Sequence, residues 1–157
     1  MKTLVIYDTQ FGNTERIAQA VAKALATSGQ SRAERVASGN RPQLEGVDLL
    51  IVGSPTVGWR QTPAMRSLLQ GLAPGSLRGL AAASFDTCMR LPGFLRGSAA
   101  KPMAAQLEAA GAILLAQPQT FWVKGRQGPL EAGEVERAAT WADTLARAWK
   151  ASHPESA

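Results

Sequence analysis

Short apolar runs that alternate with amphipathic helices limit what this chain can fold into. Residues 3–7, 49–53 and 80–86 are apolar or small at nearly every successive position, which is typical of strands buried on both faces. Each run is followed by a polar, glycine-containing loop and then by apolar residues at helical spacing. This order predicts an α/β fold, a doubly wound parallel sheet of five strands with helices on both faces.

Weaker runs supply the remaining strands. Residues 33–37 are one candidate, and residues 112–116 and 121–124 are two pieces of another, separated by a segment that contains a proline. The length of 157 residues fits one compact domain better than two. We predict that this domain spans residues 1–151 and that residues 152–157 form a polar tail.

Helix boundaries are marked by capping residues. The first helix is predicted over residues 14–28. Thr62 and Pro63 are suited to be the N-cap and first residue of a second helix. Ser98 can cap another helix, and the last begins near Glu134. In such sheets ligands bind beyond the carboxyl ends of the strands, near the point where the strand order reverses. The loops after the three buried strands are therefore where function is expected.

Composition excludes several kinds of site. The chain has one cysteine, Cys88, and one histidine, His153, so it holds neither an intramolecular disulfide nor a cysteine-based zinc site. A Ser-His-Asp or Cys-His catalytic arrangement would need the tail histidine. We predict no metal ligands and no catalytic side chains. No apolar stretch approaches the roughly 20 residues of a membrane-spanning helix, and the first apolar run is too short for a signal peptide, so we expect a cytoplasmic protein without membrane insertion.

The positive charge of the chain is concentrated in its middle. Lysine and arginine number 17 against 12 acidic residues, a formal net charge of +5. Residues 49–107 contain six basic side chains and one acidic one, Asp86. An excess of this size suggests an anionic partner. We predict no nucleic-acid binding, because no helix carries a dense basic stripe and no recognised binding module is present.

The loop after the first strand has the composition of an anion site. Thr9 and Thr14 offer hydroxyl groups, Asn13 offers an amide, and Gly12 lets the backbone approach a ligand closely. The helix that follows directs its free N–H groups and positive dipole end toward the same point. There is no phosphate-binding loop of the nucleotide triphosphatases and no dinucleotide fingerprint. The alternative is an ordinary turn in which Asn13 or Thr14 only caps the helix.

This loop resembles the FMN phosphate-binding signature of the flavodoxin family. The matching pattern is Thr9-x-x-Gly12-Asn13-Thr14, preceded by apolar residues 4–7. The predicted order of strands and helices is also similar to flavodoxins over essentially the whole chain. No long insertion interrupts residues 112–124, as in short-chain flavodoxins. The resemblance implies a flavodoxin-like fold and FMN as the cofactor.

The same resemblance implies which residues hold the cofactor. Trp59 supplies a large apolar plate for a flat aromatic ring, and the alternative for it is a buried core position. For Cys88 the alternative is a small hydrophobic residue. The expected cofactor-binding residues are Thr9, Gln10, Phe11, Gly12, Asn13 and Thr14 around the phosphate, Ser54, Pro55, Thr56, Val57, Gly58 and Trp59 against one face of the ring, and Asp86, Thr87 and Cys88 as the second wall.

The chain departs from the flavodoxin pattern at the outer face of the ring. Many flavodoxins place a tyrosine there with acidic residues around it, but the only tyrosine here, Tyr7, lies inside the first strand. Phe94 is a candidate replacement. If Arg60, Arg90 and Arg96 lie near the ring, they stabilise the anionic reduced flavin and raise its potential.

Two functions remain open at this point. One is a carrier that passes electrons between redox partners through the exposed flavin edge. The other is an FMN-dependent enzyme that reduces a quinone with NAD(P)H or oxidises a small substrate. The short chain favours the carrier. Its positive charge predicts redox proteins with acidic surfaces as partners, and we expect a monomer or weak dimer. A phosphoacceptor receiver domain is excluded, because only Asp8 follows the first strand where that fold needs an acidic pair.

Overall fold

A single parallel sheet organises the computed structural model, which describes residues 1–37 and 41–156. All strand pairs in the sheet are parallel, and the order is β2-β1-β3-β4-β5, with β6 also paired to β4. The strands are β1 Lys2–Tyr7, β2 Gln30–Arg35, β3 Leu49–Pro55, β4 Ala81–Met89, β5 Ile113–Leu114 and β6 Gln119–Val123. The predicted doubly wound fold is confirmed.

The fifth position of the sheet is shared by two short strands. β5 pairs with the start of β4, where Ala81 lies opposite Ile113, and β6 pairs with its end, where Met89 lies opposite Val123. The predicted strand pieces at 112–116 and 121–124 correspond to these two segments. Pro118 lies between them and lacks the N–H that a continuous ladder requires.

Helices cover both faces of the sheet. Thr62 caps α2 as predicted, because its hydroxyl accepts a hydrogen bond from the backbone N–H of Met65 at 3.3 Å. The hydroxyl of Ser98 accepts one from the backbone N–H of Lys101, the second residue of α4, at 3.2 Å, although the N-cap position itself is occupied by Ala99. The helices are α1 Asn13–Leu25, α2 Pro63–Gln70, α3 Gly93–Arg96, α4 Ala100–Ala109 and α5 Glu134–Ser152, with short 3₁₀ turns at Ala26–Ser28 and Pro154–Ser156.

Several predicted boundaries are wrong. β3 and β4 continue two and three residues beyond their predicted ends, to Pro55 and Met89, so Thr87 and Cys88 belong to β4 rather than to the loop after it. The second strand is Gln30–Arg35 rather than residues 33–37. It is an edge strand of half-buried and exposed polar residues, so hydrophobic patterning gave little signal, and it forms by pairing along the whole of β1. The first helix ends at Leu25, and the three residues after it form the tighter 3₁₀ turn. The short helix α3 was not predicted.

The sheet separates two hydrophobic cores. On one face, α1 and α5 pack over a cluster in which Phe85, Phe121 and Trp141 meet edge to face with ring centroids 5.9 to 6.0 Å apart. On the other face, α2 and α4 contribute Met65, Met103 and Leu107 among others. This double cover brings the carboxyl ends of β1, β3 and β4 together at one edge of the sheet.

Candidate functional site

A cavity of about 360 Å³ opens beyond the carboxyl ends of β1, β3 and β4. Twelve of the fifteen predicted cofactor-binding residues line it, whereas Gly12, Ser54 and Asp86 do not. The twelve are Thr9, Gln10, Phe11, Asn13, Thr14, Pro55, Thr56, Val57, Gly58, Trp59, Thr87 and Cys88. Six further residues line the same cavity without having been predicted: Met89, Leu91, Leu95, Arg96, Val123 and Arg126.

The loop after β1 presents unpaired backbone donors to the cavity. Gly12 is the N-cap of α1 with φ 87°, a left-handed conformation that glycine adopts without strain, and no side chain caps this helix. Within the part of the chain that the structure describes, the backbone N–H groups of Asn13, Thr14 and Glu15 have no hydrogen-bond acceptor. The alternative in which Asn13 or Thr14 caps the helix is therefore wrong. A helix start with free donors suits an anion.

The polar side chains of this loop hold neighbouring elements in place. The hydroxyl groups of Thr14 and Thr87 lie 2.9 Å apart and join α1 to the end of β4. The side-chain amide of Asn13 donates to the carbonyl of Gln127 at 3.2 Å. Arg35 donates to the carbonyl of Thr9 at 2.8 Å. These bonds fix the loop against three parts of the fold.

A two-residue turn presents Trp59 at the cavity wall. Val57 and Arg60 exchange backbone hydrogen bonds of 2.7 and 3.2 Å, and between them Gly58 and Trp59 have φ 53° and 67°. Positive φ at both central positions characterises the type I′ hairpin turn. The indole is 60% exposed and its N–H donates to the carbonyl of Leu95 at 2.9 Å. Trp59 is therefore not the buried core residue of the alternative interpretation, but an oriented surface plate.

Asp86 and Ser54 support the site from behind. Asp86 is fully buried, and its Oδ2 accepts from the backbone N–H groups of Ala99 and Ala100 at 2.9 and 3.1 Å. The same oxygen accepts from the hydroxyl of Thr56 at 3.2 Å. Ser54 accepts from the backbone N–H of Thr62 at 3.0 Å. Asp86 and Ser54 each accept a hydrogen bond from the backbone at the start of a helix. Their side chains therefore position the loops and do not line the cavity.

The alternation of side chains along β4 explains why Asp86 and Thr87 lie on opposite faces of the sheet. Successive side chains of a strand point to opposite faces of the sheet. The hydroxyl of Thr87 meets Thr14 at the start of α1, whereas the carboxylate of Asp86 meets the start of α4 on the other face. The sequence placed both residues at the end of a strand, but assigning them to faces required the register of that strand against its neighbours.

Leucines of the segment around α3 form the outer wall of the cavity. Leu91 and Leu95 line it and are 39% and 47% exposed. Phe94, the predicted replacement for the missing tyrosine, is 84% exposed and does not line the cavity. Phe94 therefore does not replace the missing tyrosine, and the adjacent Leu95, whose carbonyl accepts from the indole of Trp59, lines the cavity instead. In the sequence, Leu91 and Leu95 are only apolar residues after the third buried strand, so local patterning does not mark them as part of a ligand site.

The charged residues at the cavity differ from those expected. Arg96 and Arg126 line it, and no carboxylate does so among the described residues. Arg60 and Arg90 lie outside the lining. Arg90 is instead paired with Glu131 at 2.8 Å, with its guanidinium 4.6 Å from the ring centre of Trp122. The cavity is thus electropositive, and the arginines responsible are Arg96 and Arg126.

The remaining titratable groups near the cavity do not provide a nucleophile or a metal site. Burial raises the pKa of the Cys88 thiol, and the nearby Asp86 carboxylate raises it further, which opposes formation of a reactive thiolate. Burial and a 2.8 Å hydrogen bond to Glu15 raise the pKa of Tyr7 to about 12. The described ranges, 1–37 and 41–156, contain no group of three or more side chains suited to hold a metal ion.

The fold and the cavity together define a class of protein, a doubly wound α/β domain with an electropositive cavity at the point where its strand order reverses. A family model described as a flavodoxin domain matches residues 4–89. The chain therefore belongs to the flavodoxin family, whose members bind flavin. A search of curated protein sequences finds no match. Along the described part of the chain, no helix has the length and hydropathy needed to span a bilayer.

Solved structures support the same fold. Flavodoxin 2 from Bacillus cereus superposes with a TM-score of 0.80 at 22% identity, covering 94% of this chain and 99% of that one. Flavodoxin 1 from Bacillus cereus gives 0.78 at 18% identity, covering 94% and 98%. The rubredoxin oxygen:oxidoreductase from Desulfovibrio gigas gives 0.74 at 26% identity, covering 96% of this chain but 36% of the larger protein.

Proposed function

We propose that this protein binds FMN in the 360 Å³ cavity and carries electrons between redox partners. The observation that carries the proposal is that one cavity combines the unpaired N–H groups at the start of α1 with the exposed indole of Trp59. The first suits a phosphate and the second suits a flat aromatic ring. When bound, FMN supplies a ring that accepts and releases one or two electrons.

The residues present fit FMN at both ends. Phosphate would be held by the loop from Thr9 to Thr14, where the start of α1 has unpaired backbone donors and no carboxylate of the described residues lines the cavity. The ring would lie between Trp59 and the leucine wall of Leu91 and Leu95. The hydroxyl of Thr87 and the backbone of the loop after β3 border the space between them. These features support FMN over a flavin without phosphate.

Substitution of Trp59 tests the position of the ring. We expect Trp59→Ala to weaken FMN binding about tenfold, because the variant loses both the apolar area and the stacking of the indole. Phe94→Ala is the matched control, since Phe94 is an exposed aromatic residue of the same rim that does not line the cavity. Quenching of flavin fluorescence measures both affinities. Equal affinities of Trp59→Ala and the wild type would refute this position.

The rim of the cavity supports transfer to protein partners. Exposed apolar side chains surround its mouth, and contiguous apolar surface of this kind marks interaction sites. Arg60 and Arg96 add positive charge that no carboxylate of the described residues pairs with, whereas Arg90 is paired with Glu131. We therefore propose partners with acidic surfaces. The apolar rim residues are Phe11, Val57, Trp59, Leu91, Phe94 and Leu95.

Salt dependence of electron transfer tests this choice of partner. We expect reoxidation of the FMN-loaded, reduced protein by anionic ferricyanide to slow as ionic strength rises, because salt screens an attraction. Reoxidation by cationic hexaammineruthenium(III) is expected to accelerate or stay unchanged. The reverse pattern would argue against an electropositive transfer surface. That the protein is a monomer or a weak dimer stays a prediction.

The second candidate is an FMN-dependent quinone reductase. The observation that favours it is the apolar outer wall of Leu91 and Leu95, which offers an apolar surface to a flat substrate at the mouth of the cavity. NAD(P)H consumption with a soluble quinone separates the two functions. The carrier proposal predicts no saturable turnover, and sustained turnover would replace it with the enzyme.

A further inference from the structure

We propose that Arg126 binds the phosphate group of FMN and is a principal determinant of selectivity for FMN over riboflavin. This inference rests on the proposed function and assigns a residue to its phosphate end. Arg126 lies in the loop between β6 and α5, far in sequence from the phosphate loop at residues 9–14, and neither composition nor the motif of that loop points to it.

Arg126 has no anionic partner within the described residues. It lines the cavity, is exposed, and forms no ion pair or side-chain hydrogen bond within the described residues. By contrast, Arg90, Arg137 and Arg35 are each bound to a carboxylate. A cation without a partner, at a cavity that no described carboxylate lines, is available to an anionic ligand.

The loop that carries Arg126 is attached to the start of α1. The backbone N–H of Gly128 donates to the carbonyl of Gly125 at 3.0 Å, so Arg126 and Gln127 are the two central residues of a tight turn. The carbonyl of Gln127 accepts from the side chain of Asn13, the first residue of α1. At Gly128, which has φ 102°, an added Cβ would lie 2.6 Å from the Asn13 Oδ1. The turn is therefore packed directly against the start of α1.

These contacts hold the turn that carries Arg126 against the start of α1, where the unpaired N–H groups lie, and the side chain of Arg126 lines the same cavity. The other arginine of the cavity belongs to a different region. Arg96 ends α3, follows the residue that accepts from Trp59, and lies 5.2 Å from the ring centre of Trp122. We therefore assign Arg126 to the phosphate and Arg96 to the ring side of the site.

The test compares two ligands in three proteins. Wild type, Arg126→Gln and Lys124→Gln are titrated with FMN and with riboflavin, which lacks the phosphate. Lys124 is an exposed cation two residues away that does not line the cavity, so its variant removes the same charge without the proposed contact. Thermal unfolding of each unliganded protein checks that folding is unchanged.

We expect Arg126→Gln to weaken FMN binding about tenfold, the size of a charge-assisted hydrogen bond, and to leave riboflavin binding within about twofold. Lys124→Gln is expected to change neither by more than about twofold. Unchanged FMN affinity in Arg126→Gln would overturn the assignment, as would equal losses for both ligands or equal losses in the two variants. A wild-type protein that binds FMN no better than riboflavin would instead refute the proposed function itself.

Discussion

Gly97 and Trp59 show how closely single residues determine the shape of the cavity wall. A Cβ at Gly97 would lie 2.4 Å from Cδ1 and 2.5 Å from Cα of Trp59, and the residue has φ 60°. Neither the backbone of Trp59 nor this left-handed conformation can adapt easily to a side chain. The indole can occupy its place only because residue 97 has no side chain.

We predict that Gly97→Ala lowers the free energy of unfolding by about 1–3 kcal/mol and weakens FMN binding by displacing Trp59. Gly93→Ala is the control, because no atom lies within 4 Å of the added Cβ. Urea unfolding and FMN titration of both variants measure the two effects. If Gly97→Ala is as stable as Gly93→Ala and binds FMN as tightly, the steric account is wrong.

At the residue scale, the sequence predicts contacts near in the chain better than distant ones. Trp59 was identified by its position in a loop between a glycine and an arginine, outside any apolar stripe. The dependence of the Trp59 position on Gly97 could not be predicted, because no local sequence pattern indicates that these two residues are in contact. Arg126 was missed for the same reason, since only the folded chain brings it to the start of α1.

At the element scale, buried carboxylates attach helices to the sheet. Glu134, the first residue of α5, accepts from the backbone N–H of Trp122 at 2.7 Å and from the guanidinium of Arg137 at 2.9 Å. Burial alone would raise the pKa of Glu134, but these hydrogen bonds outweigh it and the pKa is lowered. The charged carboxylate therefore stabilises the junction between β6 and α5.

The sign of this shift gives a pH dependence. Because the pKa of Glu134 is lower in the folded than in the unfolded chain, its stabilisation is present above the ordinary glutamate value of about 4.3 and is lost as the pH falls toward the folded-state value. We predict that Glu134→Gln reduces the free energy of unfolding at pH 7 by about 1–3 kcal/mol. The difference from wild type should shrink below about pH 4.

Urea unfolding between pH 3 and pH 7 measures this dependence. Glu136→Gln is the control, because Glu136 occupies the same helical turn but is exposed. A deficit of the Glu134 variant that does not depend on pH would contradict the account.

Elements with strong apolar patterns were predicted well, and weakly patterned ones were not. β1, β3 and β4 begin within one residue of the predicted positions because they are buried on both faces, but the polar residues at the ends of β3 and β4 hid how far these strands continue. β2 was misplaced because its stability comes from pairing with β1 rather than from its own apolar residues. α3 is four residues long, which is too short for a periodic signal.

At the scale of the whole molecule, the +5 charge acts at the cavity through particular arginines. The expectation that Arg60 and Arg90 border the ring is wrong, because neither lines the cavity and Arg90 is paired with Glu131. Of the three arginines expected near the ring, Arg96 lines the cavity. A cation beside the ring favours the charge that a flavin gains on reduction.

We predict that Arg96→Gln makes the midpoint potential of the FMN-loaded protein more negative by about 20–40 mV. Arg60→Gln removes an equal charge from outside the cavity and should shift the potential less. Redox titration of the three proteins at one ionic strength measures both changes. Equal shifts in the two variants would mean that the overall charge, rather than the position of Arg96, sets the potential.

The selectivity between FMN and riboflavin tests the central claim most directly, because the two ligands share a ring and differ by the phosphate. Isothermal titration of the wild-type protein gives both affinities and the stoichiometry. We predict one FMN per chain, bound about a hundredfold or more tightly than riboflavin, as several hydrogen bonds to a charged group would provide. Equal affinity for the two ligands, or no binding of either, would contradict the account.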